Sequence, residues 1–177
     1  MLQFYKPNPR NSGSACSFYR TRDGSLMISM IKQASWDEAK KTGSFQKNKN
    51  DPKGNVKVKL SFTEAAGFLE TLDKDIEFKE YHNSQNQTTQ IRLAPYFTKE
   101  TNERKGFSLA ISKQSKDSDD KASIIIGLTF KEARHLKEYL LYVIHDSFAN
   151  PTKTKEEPEQ EEAPKQEKVA SHDDLDW

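Results

Sequence analysis

Cysteine occurs once in the chain, at Cys16. That excludes an internal disulfide and a multi-thiolate metal site, and a reducing compartment is the natural setting. Apolar residues make up only 33% of the sequence, against 31% charged, a low share for a globular protein. No apolar run approaches the roughly 20 residues of a membrane-spanning helix. The N-terminus also lacks the charged-then-apolar pattern of a secretory signal. These absences give the expectation of a soluble, intracellular protein of the cytoplasm (the host cytoplasm if viral) with no membrane partner.

Catalytic signatures are missing too. There is no glycine-rich phosphate loop, nucleophile elbow or paired-carboxylate spacing. His82, His135, His145 and His172 are scattered, and adjacent His145 and Asp146 point to different faces of any helix that carries them. No catalytic residue, metal ligand set or cofactor site is expected, and the chain does not read as an enzyme.

What the chain does have is an uneven charge distribution. Residues 151–177 hold nine acids against four lysines, a net of −5, so the near-neutral whole of +1 conceals a body of +6. A basic body joined to an acidic tail suggests a polyanionic partner. By composition the stretch 156–167, rich in glutamate with proline and lysine, is a disordered linker.

It also has a repeat. Residues 60–72 return at 128–140, a constant offset of 68, with six of thirteen positions identical. The shared residues are Leu60/Leu128, Phe62/Phe130, Glu64/Glu132, Ala65/Ala133, Glu70/Glu138 and Leu72/Leu140. Each copy has the pattern of a strand handing over to an amphipathic helix, with Ser61 or Thr129 as the cap. Upstream, Met30 to Gln33 matches Ile111 to Gln114 at an offset of 81, so the first copy carries 13 extra residues between its third and fourth strands. The surplus falls in the lysine-rich segment 36–54, which reads as a long hairpin arm or loop.

Alternation and turn chemistry place strands over 4–6, 15–22 and 26–33, with Asp23-Gly24 as a hairpin turn, and over 56–62, where Val56, Val58, Leu60 and Phe62 oppose Lys57, Lys59 and Ser61. A helix is expected over 63–74. The second half repeats the order, with strands over 76–81, 89–98, 106–113 and 122–130 and a helix over 131–148. The helix stripes on Phe68, Leu69 and Leu72, and on Leu136, Leu140, Val143 and Ile144, read as core. Tyr139, Leu141 and Tyr142 widen the second helix's apolar surface and make it a candidate contact for a homo-oligomer. The expected architecture is α+β: two ββββα repeats, about 1–74 and 75–150, forming one domain over 1–150 with a separate tail over 151–177.

This element order resembles the Whirly family, and also a fused form of the half-size unit that dimerises in the positive-cofactor-four transcription factors. The resemblance covers about 4–148 and rests on element order, repeated strand-to-helix junctions and basic strand faces. Plant Whirly members carry a Lys-Gly strand motif important to assembly, which Lys105-Gly106-Phe107 resembles, displaced into the second repeat. The resemblance implies single-stranded nucleic-acid binding on sheet surfaces. Separately, Asp173, Asp174, Leu175, Asp176 and Trp177 resemble the acidic, aromatic-ended tip of bacterial and phage single-stranded DNA-binding proteins, with tryptophan in place of phenylalanine. That likeness implies docking of replication or repair proteins and a phage or bacterial origin.

Binding single strands without sequence preference needs cations for phosphates and exposed rings for bases. The cation candidates in or beside strands are Arg20, Arg22, Lys32, Lys57, Lys59, Arg92, Lys105 and Lys113. The ring candidates with polar neighbours are Tyr19, Trp36, Phe45 and Tyr96, while Phe18, Phe62, Phe68, Phe97, Phe107 and Phe130 lie in apolar registers and read as core. Solvated faces of an antiparallel sheet carry similar residues, so it is the set and not any one member that points to binding. The resulting expectation is a protein that coats single-stranded DNA in replication, recombination or repair. An RNA-binding or transcription-regulating protein and a protein-interaction scaffold are the alternatives.

Overall fold

Both halves of the repeat fold as four antiparallel strands followed by a helix. The computed structural model describes residues 1–118 and 121–150. In chain order the first unit runs β1 (Leu2–Lys6), β2 (Ser14–Arg20), β3 (Leu26–Lys32), β4 (Ser35–Asp37), β5 (Thr42–Ser44), a short 3-10 helix (Gln46–Asn50), β6 (Asn55–Leu60) and α1 (Phe62–Lys74). The second runs β7 (Phe78–Asn83), β8 (Gln87–Phe97), β9 (Arg104–Ser115), β10 (Lys121–Leu128) and α2 (Phe130–Ala149). The sheets have the orders β1-β2-β3-β6 and β10-β9-β8-β7, and β4 pairs with β5 alone. The 13-residue surplus is therefore a hairpin plus one 3-10 turn, so the segment 36–54 is an ordered arm.

Period-two alternation gives β1, β2, β3, β6, β8, β9 and β10 one buried face each, and the buried faces of the two sheets meet. Phe4, Phe18, Ile28, Met30 and Val58 from the first sheet join Ile91, Leu93, Leu109, Ile111 and Ile126 from the second in one core. β10 packs against β2, β3 and β6, while α1 and α2 lie against each other and close the core over Phe68, Leu136 and Leu140. Cys16 belongs to this core, and burial pushes its thiol well above the usual range.

The strand-to-helix junctions carry full capping boxes. Ser61 accepts from the Glu64 amide while the Glu64 carboxylate accepts from the Ser61 amide, and Thr129 and Glu132 do the same. This satisfies the N-cap and N3 amides of both helices. Each capping glutamate also reaches the first strand of the other repeat: Glu64 pairs with His82 of β7, and Glu132 with Lys6 of β1 at 2.6 Å. The two copies are thus clasped reciprocally.

The cap corrects one expectation. With Ser61 and Thr129 outside the strands, Phe62 and Phe130 open the helices instead of ending the strands, and both are exposed. Phe97 is exposed as well, because the ladder slips at Tyr96/Phe97 and turns its ring out of the buried register. Phe18, Phe68 and Phe107 are core as expected.

Gln33 holds the arm in place. Its buried amide accepts from the Asn8 amide at 2.8 Å and donates to the carbonyls of Asn8 and Ser35, both at 3.0 Å. One side chain thereby fixes the arm's base to the β1–β2 loop. Phe45 of the arm packs edge-on against Tyr5, ring centroids 6.0 Å apart. Among the described residues no helix is long and apolar enough to cross a membrane.

Candidate nucleic-acid interface

The outer faces of the two sheets follow from the same alternation that builds the core. On the first sheet the cross-strand rows facing away from the core are Gln3-Ser17-Ser29-Lys57, Tyr5-Ala15-Ile31-Asn55 and Tyr19-Met27-Lys59. On the second they include Lys79-Arg92-Ala110-Ile125 and Tyr81-Gln90-Ser112-Ser123, with Tyr96 opposite Gly106. No aspartate or glutamate is in outward register on any strand of either sheet, although Glu80, in the inward register of β7, is exposed at the sheet's edge. In a chain with 27 acids, the charged residues in those rows are all cations, set among rings and small polar and apolar side chains.

Lys57 and Lys59 are exposed on the edge strand β6 as expected, and neither pairs with a carboxylate among the described residues. Tyr19 lies beside Lys59 across β3, half-buried. Tyr96 is exposed at the end of β8. Arg92 faces outward too, but Glu77 engages it through two hydrogen bonds at 2.8 and 3.0 Å, which hold the Glu77 carboxyl below its usual range. Lys105 is exposed and pairs with Glu103 at 2.6 Å. Arg22 sits exposed in the β2–β3 turn, which Asp23 organises by accepting from the Ser25 amide and hydroxyl.

Three expected members of the basic faces belong elsewhere, and register is the reason. Arg20 aligns with Leu26 and Leu60, so it points to the core side and pairs with Asp146 on α2. Lys32 aligns with inward Ser14 and lies at the end of its sheet. Lys113 aligns with Thr89 and Ala122, both buried. It lines the cleft between the sheets, where burial pulls its ammonium below the usual range. Trp36 is half-buried in β4, and its indole N–H has no hydrogen-bond partner among the described residues.

Two rings escaped the sequence reading. Tyr5 is 57% exposed and Tyr81 47%, both on outer faces. Tyr81 accepts a hydrogen bond from Gln90 at 3.0 Å and has the Lys79 ammonium 5.3 Å from its ring centre. Tyr5 sits just before Lys6 and Pro7 in a short edge strand, where it alternates with buried Leu2 and Phe4 and aligns with Ala15. The tip residues Asp173, Asp174, Leu175, Asp176 and Trp177, and the linker before them, lie outside the described residues.

With the geometry in place, comparison with known proteins is informative at the level of fold. No protein-family model and no curated protein matches the sequence. Solved structures do. WHY3 from Arabidopsis thaliana superposes with a TM-score of 0.58 at 15% identity, covering 84% of this chain and 91% of that one. The fold is Whirly-like. WHY1 from the same plant gives 0.57 at 16% identity over 84% and 88%. Trypanosome MRP1/MRP2 gives 0.54 at 17% identity over 84% and 87%, and a guide-RNA-binding protein complex bound to its RNA gives 0.54 at 17% over 84% and 93%.

Proposed function

We propose that the chain binds single-stranded nucleic acid on its outer sheet faces, and that its physiological ligand is single-stranded DNA exposed in replication, recombination or repair. The observation that carries this reading is the pair of outer faces whose strands present no outward acid and are set with Tyr5, Tyr19, Tyr81 and Tyr96 and with Lys57, Lys59 and Lys79. Phosphates lie along the lysines and bases stack on the rings, each stack contributing ~1–3 kcal/mol. The faces present no helix or ribbon for a duplex groove, so double-stranded DNA is a poor ligand. The fold's likeness to a guide-RNA-binding complex supports RNA as the second reading. The acidic tip is proposed to dock replication or repair proteins, and α2, with Tyr142 and Phe148 exposed, to form a homo-oligomer contact.

Fluorescence titration with labelled oligo-dT, the matching RNA and the duplex tests the reading. Tight, salt-sensitive binding to the single strand and weak binding to duplex is the expected result; equal affinity for both forms overturns it. Matched DNA and RNA competition separates the first reading from the second. Removal of residues 173–177 is expected to leave or raise DNA affinity while abolishing partner capture.

A further inference from the structure

The cleft between the sheets has two ends, related by the internal repeat, and they are unlike. At one end the β10 edge meets the β1–β2 loop, giving a cavity of about 390 Å³ with a single lysine, Lys32. Here the Ser14 hydroxyl donates to the Ile125 carbonyl at 2.6 Å, bridging the two sheets across the opening. At the other end the β6 edge meets the β7–β8 turn. Two cavities of about 570 and 200 Å³ open there and share Ser84, Gln87 and Lys113, forming one continuous groove. The larger one, like the cavity at the other end, lies in the roughly 300–1,000 Å³ range of small-ligand sites, so lining and not size tells the two ends apart.

This second groove is cationic and carries free hydrogen-bonding groups. Lys57 and Lys59 line its outer lip, Lys113 its floor, and Lys53 and Lys121 its far side, against one acid, Asp51. The Lys113 ammonium makes no hydrogen bond or ion pair with any described residue, although it is half-buried. Partial burial disfavours an unpaired cation relative to a fully solvated one, and an anion beside it offsets that cost. The side-chain amides of Asn86 and Gln87 likewise have no partner among the described residues, while the backbone groups of the same turn are satisfied: the Gln87 amide donates to Ser84 and the Asn86 carbonyl accepts from Lys116. Amide side chains with both donor and acceptor unused match the edge of a nucleobase, whose donors and acceptors are arranged side by side.

We propose that this groove takes one nucleotide of the bound strand, its phosphate on Lys113 and its base against the amides of Asn86 and Gln87. The inference rests on the single-strand reading above and adds a specific site to it. A strand crossing the outer face of the first sheet reaches the edge at Lys57 and Lys59, and there one unit turns inward between the sheets. The offset-related positions at the other end, Lys32 for Lys113 and Ile125 and Gly127 for Lys57 and Lys59, lack the lysine lip, so only one end is a site. The site also gives the protein a base preference at one position of an otherwise sequence-tolerant track.

The test titrates the full chain with dTMP, dAMP and inorganic phosphate, followed by proton–nitrogen correlation NMR, and with oligo-dT by fluorescence. The expected result is saturable shifts at the Asn86 and Gln87 side-chain amides with at least one mononucleotide. These should weaken about tenfold in Lys113→Met and in Gln87→Leu and remain unchanged in Lys32→Met. Both groove variants carry near-isosteric side chains, and a thermal melt matching the parent shows that they fold. Phosphate alone reproducing every shift overturns base recognition. Mononucleotide shifts confined to the outer faces, with oligo-dT still bound tightly, overturn the groove and leave the single-strand reading standing. Failure to bind oligo-dT or the matching RNA at low salt overturns both.

Discussion

The two sheets share a topology, a core pattern and a capping box, yet their edges differ in a way that matters. Strand β6 presents Lys57 and Lys59 outward where β10, 68 residues on, presents Ile125 and Gly127. The inward residues of the same strands, Val56, Val58 and Leu60 against Ile124, Ile126 and Leu128, keep their character and are all buried. Duplication therefore preserved what the core needs and let the solvent side diverge. Divergence confined to one face is what separates a packing constraint from a binding one.

The turns differ as well, and the largest predicted effect lies there. The first repeat closes β2 onto β3 with a tight Thr21–Ser25 turn, Gly24 at φ 82° and the Thr21 amide donating to the Ser25 carbonyl at 2.9 Å. The second closes β8 onto β9 with a longer loop and a slipped register, and Gly106 takes φ 135°. A Cβ at Gly106 would collide with the Leu128 carbonyl, at the end of β10. Gly106→Ala is expected to destabilise the fold by about 2–3 kcal/mol, read as a lowered denaturation midpoint. Its offset partner Ser25 is expected to accept alanine at a far smaller cost, which would isolate the positive φ and the close approach of the Leu128 carbonyl as the cause.

On the binding side, reversing the charge of the first sheet's edge breaks the comparison next. The double change Lys57→Glu, Lys59→Glu should lower oligo-dT affinity more than tenfold, and neutral Lys57→Ala, Lys59→Ala should reduce the salt slope by about two phosphate contacts. Thermal stability should stay unchanged, since both side chains are solvent-facing. The opposite change, Ile125→Lys, gives the second edge what the first has and should raise affinity modestly. If Lys57 and Lys59 can be reversed without effect, the outer face of the first sheet is not the track.

The rings rank below the charges. Tyr19→Ala and Tyr5→Ala on the first sheet, and Tyr81→Ala and Tyr96→Ala on the second, are each expected to cost ~1–3 kcal/mol of single-strand affinity if a base stacks there. Losses on one sheet only would show that the strand follows a single face. Titration by quenching of a labelled oligonucleotide resolves differences of this size.

The sequence made the core legible and the site only partly so, for a physical reason. Alternation reports which residues share a face, and Phe18, Ile28, Leu93 and Leu109 needed nothing more. Whether a face looks inward at a strand's end is decided by register and by what packs opposite. Arg20 and Lys113 resemble Lys57 in sequence context, yet one is spent on Asp146 and the other lines the cleft. Phe62 and Phe130 sit in strand parity, and the capping boxes at Ser61 and Thr129 moved them into helices. The arm had no periodicity to read because Gln33, outside it, supplies the hydrogen bonds that order it. Tyr5 alternates with buried Leu2 and Phe4, but the strand expected from sequence begins only at Phe4 and is too short to show it.

The smallest expected effects concern the reciprocal clasp. Burial opposes ionisation of Glu64, but hydrogen bonds from His82 and from the Ser61 amide and hydroxyl outweigh it, holding the carboxyl below its ordinary 4.5. Burial likewise opposes Glu132, outweighed by Lys6 and by the Thr129 amide and hydroxyl. A carboxylate whose folded pKa is depressed contributes stability that is present above its unfolded pKa and is lost as pH falls through the folded one. Acid below about pH 4.5 should therefore loosen both junctions. Glu64→Gln and Glu132→Gln should each cost about 1 kcal/mol at neutral pH, discounted for the partial exposure of their partners, and each should flatten the acid limb of the stability curve. Because each glutamate joins its own helix to the other repeat's first strand, the double variant tests whether the copies hold each other. Losses that simply add would show two independent caps; a double variant that loses less than the sum would show one clasp made of two halves, because breaking either half already releases the other.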